Sequence, residues 1–530
     1  MKIYLLSPLT KVFSDEAPEN ENYNSFSMLK NERTGFNLAV LSEDEKEISI
    51  ELKGDIAKYT TAFAVQNVPV KYAVGSGADE YYLRKAPGLY PDVLMPFDKT
   101  YSLKAGEWQG FYFEVNPCSE ISGKQILKIT VDSEEIEVCV NIADALLPKQ
   151  ILKYTNWYHS DCLCDYYGIK AMGDEYWRIN RNFIRTAVEH GQNIILTPLF
   201  TPPLDTKIGG ERTTVQLVGV KLYGGRYLFD FRNLKKWIDM CLDCGIEYFE
   251  MSHMFTQWGA KHAPKIVATD SHGREKKIFG WFTRTSSHEY DDFLRQFGRA
   301  LKKFIFDLDL QNRVYFHISD EPSERHLKTY MKRASLIREI FGEFPVMDAL
   351  SDYEFFKKGT VTVPVPCENS LEEFLGNVKE TWTYYCCGPS NEYYPNRFIA
   401  MPLERVRIIG ILLYKYDVKG FLQWGYNFYN SQYSLRHINP FENTDADGHF
   451  PAGDSFVVYP AKDGTAIPSI RLKAFFGGIQ DYTALQALES KIGREKVLEL
   501  VGDITFTTYP HSPKYILELR EKVNSMLVNK

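Results

Sequence analysis

Asp320 and Glu321 are adjacent carboxylates that close the stretch VYFHISDEPSE, residues 314–324. The stretch begins with large and β-branched residues that suit a strand, and Pro322 then imposes an extended exit. Two like charges this close repel each other, which splits the pKa values of the pair. Glycoside hydrolysis uses such a split, with one carboxyl protonated as acid and the other ionised. Conventional mechanisms place the two carboxyls on opposite sides of the scissile bond, about 5 Å or more apart, and adjacent residues are badly placed to straddle it. Substrate assistance removes the difficulty. The oxygen of a 2-acetamido group attacks its own anomeric carbon, Glu321 protonates the leaving oxygen, and Asp320 accepts the acetamido N–H and stabilises the oxazolinium. The plainer reading of Asp-Glu-Pro-Ser is a helix start over 323–340, with Asp320 as its cap or Glu321 in its first turn.

Elements that would position such a pair follow from residue 151 onward. Apolar strand-like runs alternate there with amphipathic stretches such as YDDFLRQFGRALKKFIFDL. The runs are 151–159, 192–200, 246–255, 313–319, 344–351, 360–366, 381–387 and 420–428. Eight strands with helical crossovers predict a (β/α)8 TIM barrel, in which active sites gather at the C-terminal ends of the strands. A doubly wound open sheet is the alternative, but the Gly-rich phosphate turn it usually carries is missing. Residues 1–148 read instead as an N-terminal antiparallel β-sandwich, with β-rich runs such as TAFAVQNVPVKYAV and GFYFEVN between turn residues. The expected division is a sandwich over 1–148, a catalytic barrel over 149–455 and a C-terminal helical segment over 456–530.

The other strand ends supply candidate substrate-binding residues. His253 and Trp258 follow the third strand, and their plain readings are a core histidine and a packing tryptophan. Tyr384 and Tyr385 end the seventh; by alternation one of them faces inward, and Tyr385 is preferred for holding the acetamido carbonyl. Trp424 and Tyr426 end the eighth, where rings would wall a sugar. His159 and Asp161 end the first, where a carboxylate would receive sugar hydroxyls. A conventional retaining mechanism would need Asp348 or Glu368, at strands five and six, as nucleophile.

Composition narrows the partners. With 34 Tyr, 34 Phe and 8 Trp, the chain has rings for both a large core and a sugar-stacking wall. Net charge is −7 and no basic block occurs, which argues against nucleic acid. No run of 18 apolar residues suggests a membrane span, and the N-terminal apolar run is too short for a signal peptide, so a cytoplasmic protein is expected. The nine cysteines are odd in number and scattered, as free thiols would be. Cys241 and Cys244 form a CxxC inside a helical pattern without a second ligand pair, so neither a metal nor a cofactor is expected. Oligomeric state is open. A non-catalytic carbohydrate-binding barrel is the competing reading, disfavoured because both carboxylates are present.

HISDEPSE resembles the catalytic signature of glycoside hydrolase family 123. QNIILTPLFTPPLDT, HMFTQWGAKHAPKI, GFLQWGYNFYN and GDSFVVYP…IPSIRLKAFFGGIQDYTAL are similar to the same domain, so the resemblance spans about residues 150–490. It implies a β-N-acetylgalactosaminidase that works by substrate assistance on a glycan with a terminal 2-acetamido sugar. It implies Glu321 as acid/base and Asp320 as oxazolinium stabiliser. The galacto preference rests on the resemblance alone.

Overall fold

The computed structural model describes residues 1–528. The β-rich first region folds as two five-stranded sheets. One runs in space Lys2–Leu6, Thr34–Leu41, Trp108–Val115, Thr60–Val70, Gly88–Pro96, and every pairing is antiparallel. The other runs Ser25–Lys30, Glu134–Leu146, Gly123–Val131, Lys46–Lys53, Thr100–Leu103. Alternate residues of both sheets meet in one core, Phe36, Leu38 and Phe113 from the first against Met28, Ile50 and Val138 from the second. The sandwich departs from the antiparallel expectation where Ser25–Lys30 lies parallel to Glu134–Leu146. Those strands are far apart in sequence, so no hairpin turn dictates their direction.

All eight strands expected after residue 150 form. They are β1 (Lys153–Asn156), β2 (Ile194–Thr197), β3 (Tyr248–Met251), β4 (Val314–Phe316), β5 (Met347–Ala349), β6 (Val363–Val365), β7 (Trp382–Tyr385) and β8 (Gly420–Gln423). They are almost wholly buried, as parallel strands covered on both faces must be. The continuous hydrogen-bonded sheet holds six of them, in the order β4-β3-β2-β1-β8-β7, every pairing parallel. It forms an open half-barrel. β5 and β6 make a separate parallel pair. Single parallel bridges, Phe316–Val346 and Cys367–Tyr384, lie between that pair and the two edges of the sheet.

Helices cover the outside of this sheet. Asp174–Glu189 follows β1, Arg232–Cys244 follows β2, His288–Asp307 follows β3 and Leu327–Phe341 follows β4. His288–Asp307 buries Tyr290, Phe293, Leu294, Phe297, Leu301 and Ile305, a three-and-four spacing that lays one apolar stripe on the core. The crossover after β6 holds only two 3-10 turns, Glu368–Ser370 and Glu372–Phe374. Ile470–Ile492 follows β8 and is buried nearly all round from Ile470 to Leu488. It packs so closely on Ile409–Lys415 that a Cβ on Gly410 would collide with the Gly478 carbonyl. Arg471, in its first turn, makes a buried two-pronged ion pair with Asp92 of the sandwich at 2.7 and 2.8 Å, and Tyr459 donates to the same carboxylate at 2.6 Å. The sandwich is thereby fixed to the parallel-sheet region. Among the described residues no helix is long and apolar enough to cross a membrane.

Candidate active site

β4 ends at Phe316, and the next three residues are held from below by one side chain. Asp348, on β5, accepts the backbone N–H of Ile318 at 3.0 Å and of Ser319 at 3.1 Å, and the Tyr330 hydroxyl at 2.5 Å. His317 joins the same carboxylate at 3.2 Å through Nδ1 and Glu250, on β3, at 2.8 Å through Nε2. All three ionisable side chains are fully buried. Burial alone would push the His317 imidazolium down, but the bonds to Asp348 and Glu250 outweigh it and raise it to about 9. A protonated histidine between two carboxylates is thus the foundation on which residues 318–321 rest.

That foundation lets both members of the pair face one cavity. Strict alternation would send Asp320 and Glu321 to opposite faces. The strand has already ended, and Glu321 adopts a left-handed backbone with φ +41°. Such a conformation costs a non-glycine residue about 1–3 kcal/mol and persists where its surroundings over-determine it. Here Pro322 follows, and the Asp320 carbonyl accepts the Trp258 N–H at 3.0 Å. The result is a cavity of about 230 Å³ with Asp320 and Glu321 on one wall. The helix-start reading of the pair fails, because the α-helix begins only at Leu327 and no side chain caps it.

Tyr384 donates its hydroxyl to Glu321 Oε1 at 2.7 Å and lines the cavity. The preference for Tyr385 is therefore corrected. β7 alternates so that Tyr385 points into the helical layer, fully buried against Phe421, with a hydroxyl that finds no partner among the described residues. Burial and then the Glu321 charge push the Tyr384 phenol well above its ordinary range, so it stays a donor. Burial and the neighbouring charges of Glu321 and Asp348 push the Asp320 carboxyl well up as well. The two carboxyls titrate as a coupled pair, and this shift favours a proton held between them.

Of the other expected residues, Trp258 and Trp424 line the cavity. Trp424 Nε1 donates to Asp454 at 3.0 Å, which fixes the ring. Tyr426 does not reach the cavity. It stacks on Tyr158 and donates to the Phe183 carbonyl at 2.9 Å, because the chain after Gln423 has turned outward toward Asp174–Glu189. His253 is buried beneath the floor, stacked on His317 with ring centroids 4.3 Å apart. His159 lies behind Trp424, its Nε2 2.9 Å from the Trp424 carbonyl. Burial and then the Arg212 charge lower it to about 3, so it is neutral. Asp161 is consumed by a buried pair with Arg212 at 2.6 and 2.8 Å. Arg212 also donates to the Leu204 carbonyl at 3.0 Å, so His159 and Asp161 brace a cavity wall rather than face a ligand.

Several lining residues went unnoticed in the sequence. Trp157 follows β1 directly, lines the cavity, and donates to Glu250 at 2.9 Å. Asp205, after β2, accepts the Tyr433 N–H at 2.9 Å, and its own N–H donates to Gln257 at 2.6 Å. One residue thus ties together three loops of the rim, through its carboxylate and its backbone N–H, and burial pushes its carboxyl up to about 6. Tyr433 and Phe450 come from the long segment after β8. Trp157 was within reach of the alternation argument. Asp205, Tyr433 and Phe450 sit in irregular loops that carry no periodic signal. Asp348 and Glu368, the conceivable conventional nucleophiles, are buried outside the cavity. Asp348 is spent on His317 and the backbone, while burial holds the Glu368 carboxyl well above its ordinary range. Among the described residues, His253, His317 and Asp348 form a group whose ligand atoms lie within 4.8 Å of one another. A metal there would have to displace the proton that His317 shares with its two carboxylates.

Three comparisons bear on this geometry. No curated protein sequence matches the chain. Among solved structures, a family 123 glycoside hydrolase from Clostridium perfringens, studied for glycolipid glycan hydrolysis, superposes with a TM-score of 0.74 at 13% identity, over 99% of this chain and 98% of that one. At that identity the likeness is one of fold. A family 5 mannosidase mutant from Rhizomucor miehei gives a TM-score of 0.34 at 13% identity over 64% of this chain and 95% of its own, and a β-galactosidase-like protein from Bacteroides fragilis gives 0.32 at 8% over 86% and 58%. Neither carries weight. The model of the glycoside hydrolase 123 catalytic domain matches residues 157–488, well over half the chain, from the Trp157 wall through the dyad to the helix after β8. The chain is a glycoside hydrolase and belongs to glycoside hydrolase family 123.

Proposed function

We propose that this hydrolase is a retaining exo-β-N-acetylgalactosaminidase that uses the 2-acetamido group of its substrate as nucleophile. The observation that carries the reading is the placement of Asp320 and Glu321 on one wall of one cavity, with Tyr384 bonded to Glu321. A substrate N–H directed at Asp320 favours its carboxylate form. The dyad's proton then resides on Glu321, whose orientation Tyr384 fixes. The acetamido oxygen attacks the anomeric carbon as the glycosidic C–O bond breaks, and Glu321 gives its proton to the leaving oxygen. Asp320 bonds the N–H of the oxazolinium and stabilises its charge. Water, losing a proton to Glu321, opens the ring, and the two inversions return the β-anomer. Trp424 and Trp157 are read as the walls against which the sugar ring packs.

We read the eight strands as a (β/α)8 barrel whose gaps are closed by the bridges at Phe316 and Cys367. The sandwich over 1–148 precedes it, and Ile470–Ile492 is counted as its eighth crossover helix. Because the Clostridium perfringens relative was studied on glycolipid glycans, such glycans with a terminal 2-acetamido sugar are the substrates to try first. Asp205 is the carboxylate that a conventional mechanism would have to recruit, since among the described residues the cavity is otherwise lined by acids only at 320 and 321.

The test is a panel of chromogenic β-glycosides of N-acetylgalactosamine, N-acetylglucosamine, galactose and glucose. Turnover of the N-acetylgalactosaminide, with the galactoside inert, is the expected outcome. Brisk galactosidase activity abolished by Asp205→Asn would overturn substrate assistance. Binding without turnover across the panel would favour a carbohydrate-binding role.

A further inference from the structure

Beyond Tyr384 and Tyr385, the chain runs directly into Cys386 and Cys387, and both line the cavity of the dyad. Their sulfurs are 4.0 Å apart. Cys387 is exposed and Cys386 half-buried, its sulfur 3.7 Å from the Gly388 carbonyl. All nine cysteines are free thiols, and Cys162, Cys164 and Cys241 are buried. The vicinal pair thus sets two thiols side by side, one open to solvent, on the wall that also carries the Tyr384–Glu321 bond.

We propose that Cys386 and Cys387 are a vicinal dithiol whose reversible oxidation by small disulfides such as oxidised glutathione switches the site off. The Cys387 thiolate attacks one sulfur of the oxidant, breaking its S–S bond and releasing one glutathione thiolate, which takes up the Cys387 proton. Cys386, on losing its proton, attacks the Cys387 sulfur of the mixed disulfide, closes the ring and releases the second glutathione, which takes that proton. Two thiols are oxidised and one disulfide is reduced to two thiols. Closure must bring the sulfurs from 4.0 Å to bonding distance. Neighbouring Cα atoms lie about 3.8 Å apart, closer than the usual disulfide range of about 4.4–6.8 Å, so the ring is strained and easily reopened by thiols. The peptide that rotates is two residues from Tyr384, whose hydroxyl sits 2.7 Å from Glu321. Misplacement of a catalytic group by about 1 Å costs up to about 100-fold, so oxidation is expected to lower kcat/KM by about 10- to 100-fold.

The activity readout rests on the function proposed above; the bond itself does not. The full chain is equilibrated with oxidised glutathione, the remaining thiols are alkylated, and the peptides are mapped by mass spectrometry. The expected result is loss of two hydrogens on the peptide holding Cys386 and Cys387, a fall in kcat/KM and recovery with dithiothreitol. In Cys387→Ser the ratio of oxidised to reduced activity should stay near one, and Cys386→Ser should trap glutathione on Cys387. Phenylarsine oxide, which bonds two neighbouring thiols with release of water, should bind wild type and neither variant. Alkylation of both cysteines after oxidation, or full activity with the bond mapped, would overturn the proposal, as would an equal loss in Cys387→Ser. A chain that forms the bond yet hydrolyses no glycoside would sink the glycosidase reading and leave the dithiol assigned.

Discussion

Two neighbouring tyrosines give a sharp contrast, because β7 points one at the dyad and the other into the helical layer. Tyr384→Phe removes a donor 2.7 Å from Glu321 Oε1. A hydrogen bond to a charged group is worth about 1.5–3 kcal/mol, and each 1.36 kcal/mol is tenfold in rate, so kcat/KM should fall by about 10- to 150-fold. Nothing else about the ring changes, so the fold should persist. Tyr385→Phe removes a buried hydroxyl that has no partner among the described residues. Deleting such a group relieves a desolvation penalty of about 1–3 kcal/mol in part, so stability should rise slightly or stay level while activity is kept. The assay is kcat/KM on an aryl 2-acetamido-β-galactoside for both variants, with thermal melts alongside. A larger activity loss in Tyr385→Phe than in Tyr384→Phe would refute the assignment of the inward face and the role of Tyr384.

Glu321→Gln should lose most activity, about 10²–10⁴-fold, on substrates with poor leaving groups and much less on activated aryl glycosides, whereas Asp320→Asn should damage both; equal losses across leaving groups for Glu321→Gln would contradict its role as acid. His317 is raised from an unfolded value of 6.5 to about 9, so its contribution is fully present below pH 6.5 and is lost as pH rises toward 9. Denaturant melts at those two pH values should show wild type losing up to about 3 kcal/mol more than His317→Gln, and equal losses would dismantle the buried triad as drawn. Asp454→Ala should free the Trp424 ring, now held at 3.0 Å, and raise KM several-fold with a smaller change in kcat; an unchanged KM would remove Trp424 from the sugar wall.

Much of the parallel-strand region was legible because each strand is a short apolar run bounded by turn residues or amphipathic helix, and all eight form where that pattern puts them. Hydrogen bonding between strands was not legible, and the pair β5–β6 stands apart from the other six. The dyad could be read because two carboxylates at a strand end are chemically costly and a proline follows. Alternation misjudged β7 because it gives relative faces and no origin: only the packing of Tyr385 against Phe421 decides which tyrosine turns inward. His159, Asp161 and His253 have the residue types of a site but serve beneath or behind it, as a bracket with Arg212 and a stacked pair with His317. Asp205 and Tyr433 are brought together by one backbone-to-carboxylate bond across 228 residues, a contact that no local pattern announces.

The central claim is that the substrate's own acetamido oxygen is the nucleophile, held by Asp320. It is tested most directly by weakening that oxygen in steps. Aryl β-galactosaminides carrying N-acetyl, N-fluoroacetyl, N-difluoroacetyl and N-trifluoroacetyl groups share one leaving group and differ little in shape, while the carbonyl grows steadily less nucleophilic. The account predicts that kcat/KM falls steeply and monotonically along the series. A flat series would contradict it and hand the attack to a carboxylate of the enzyme.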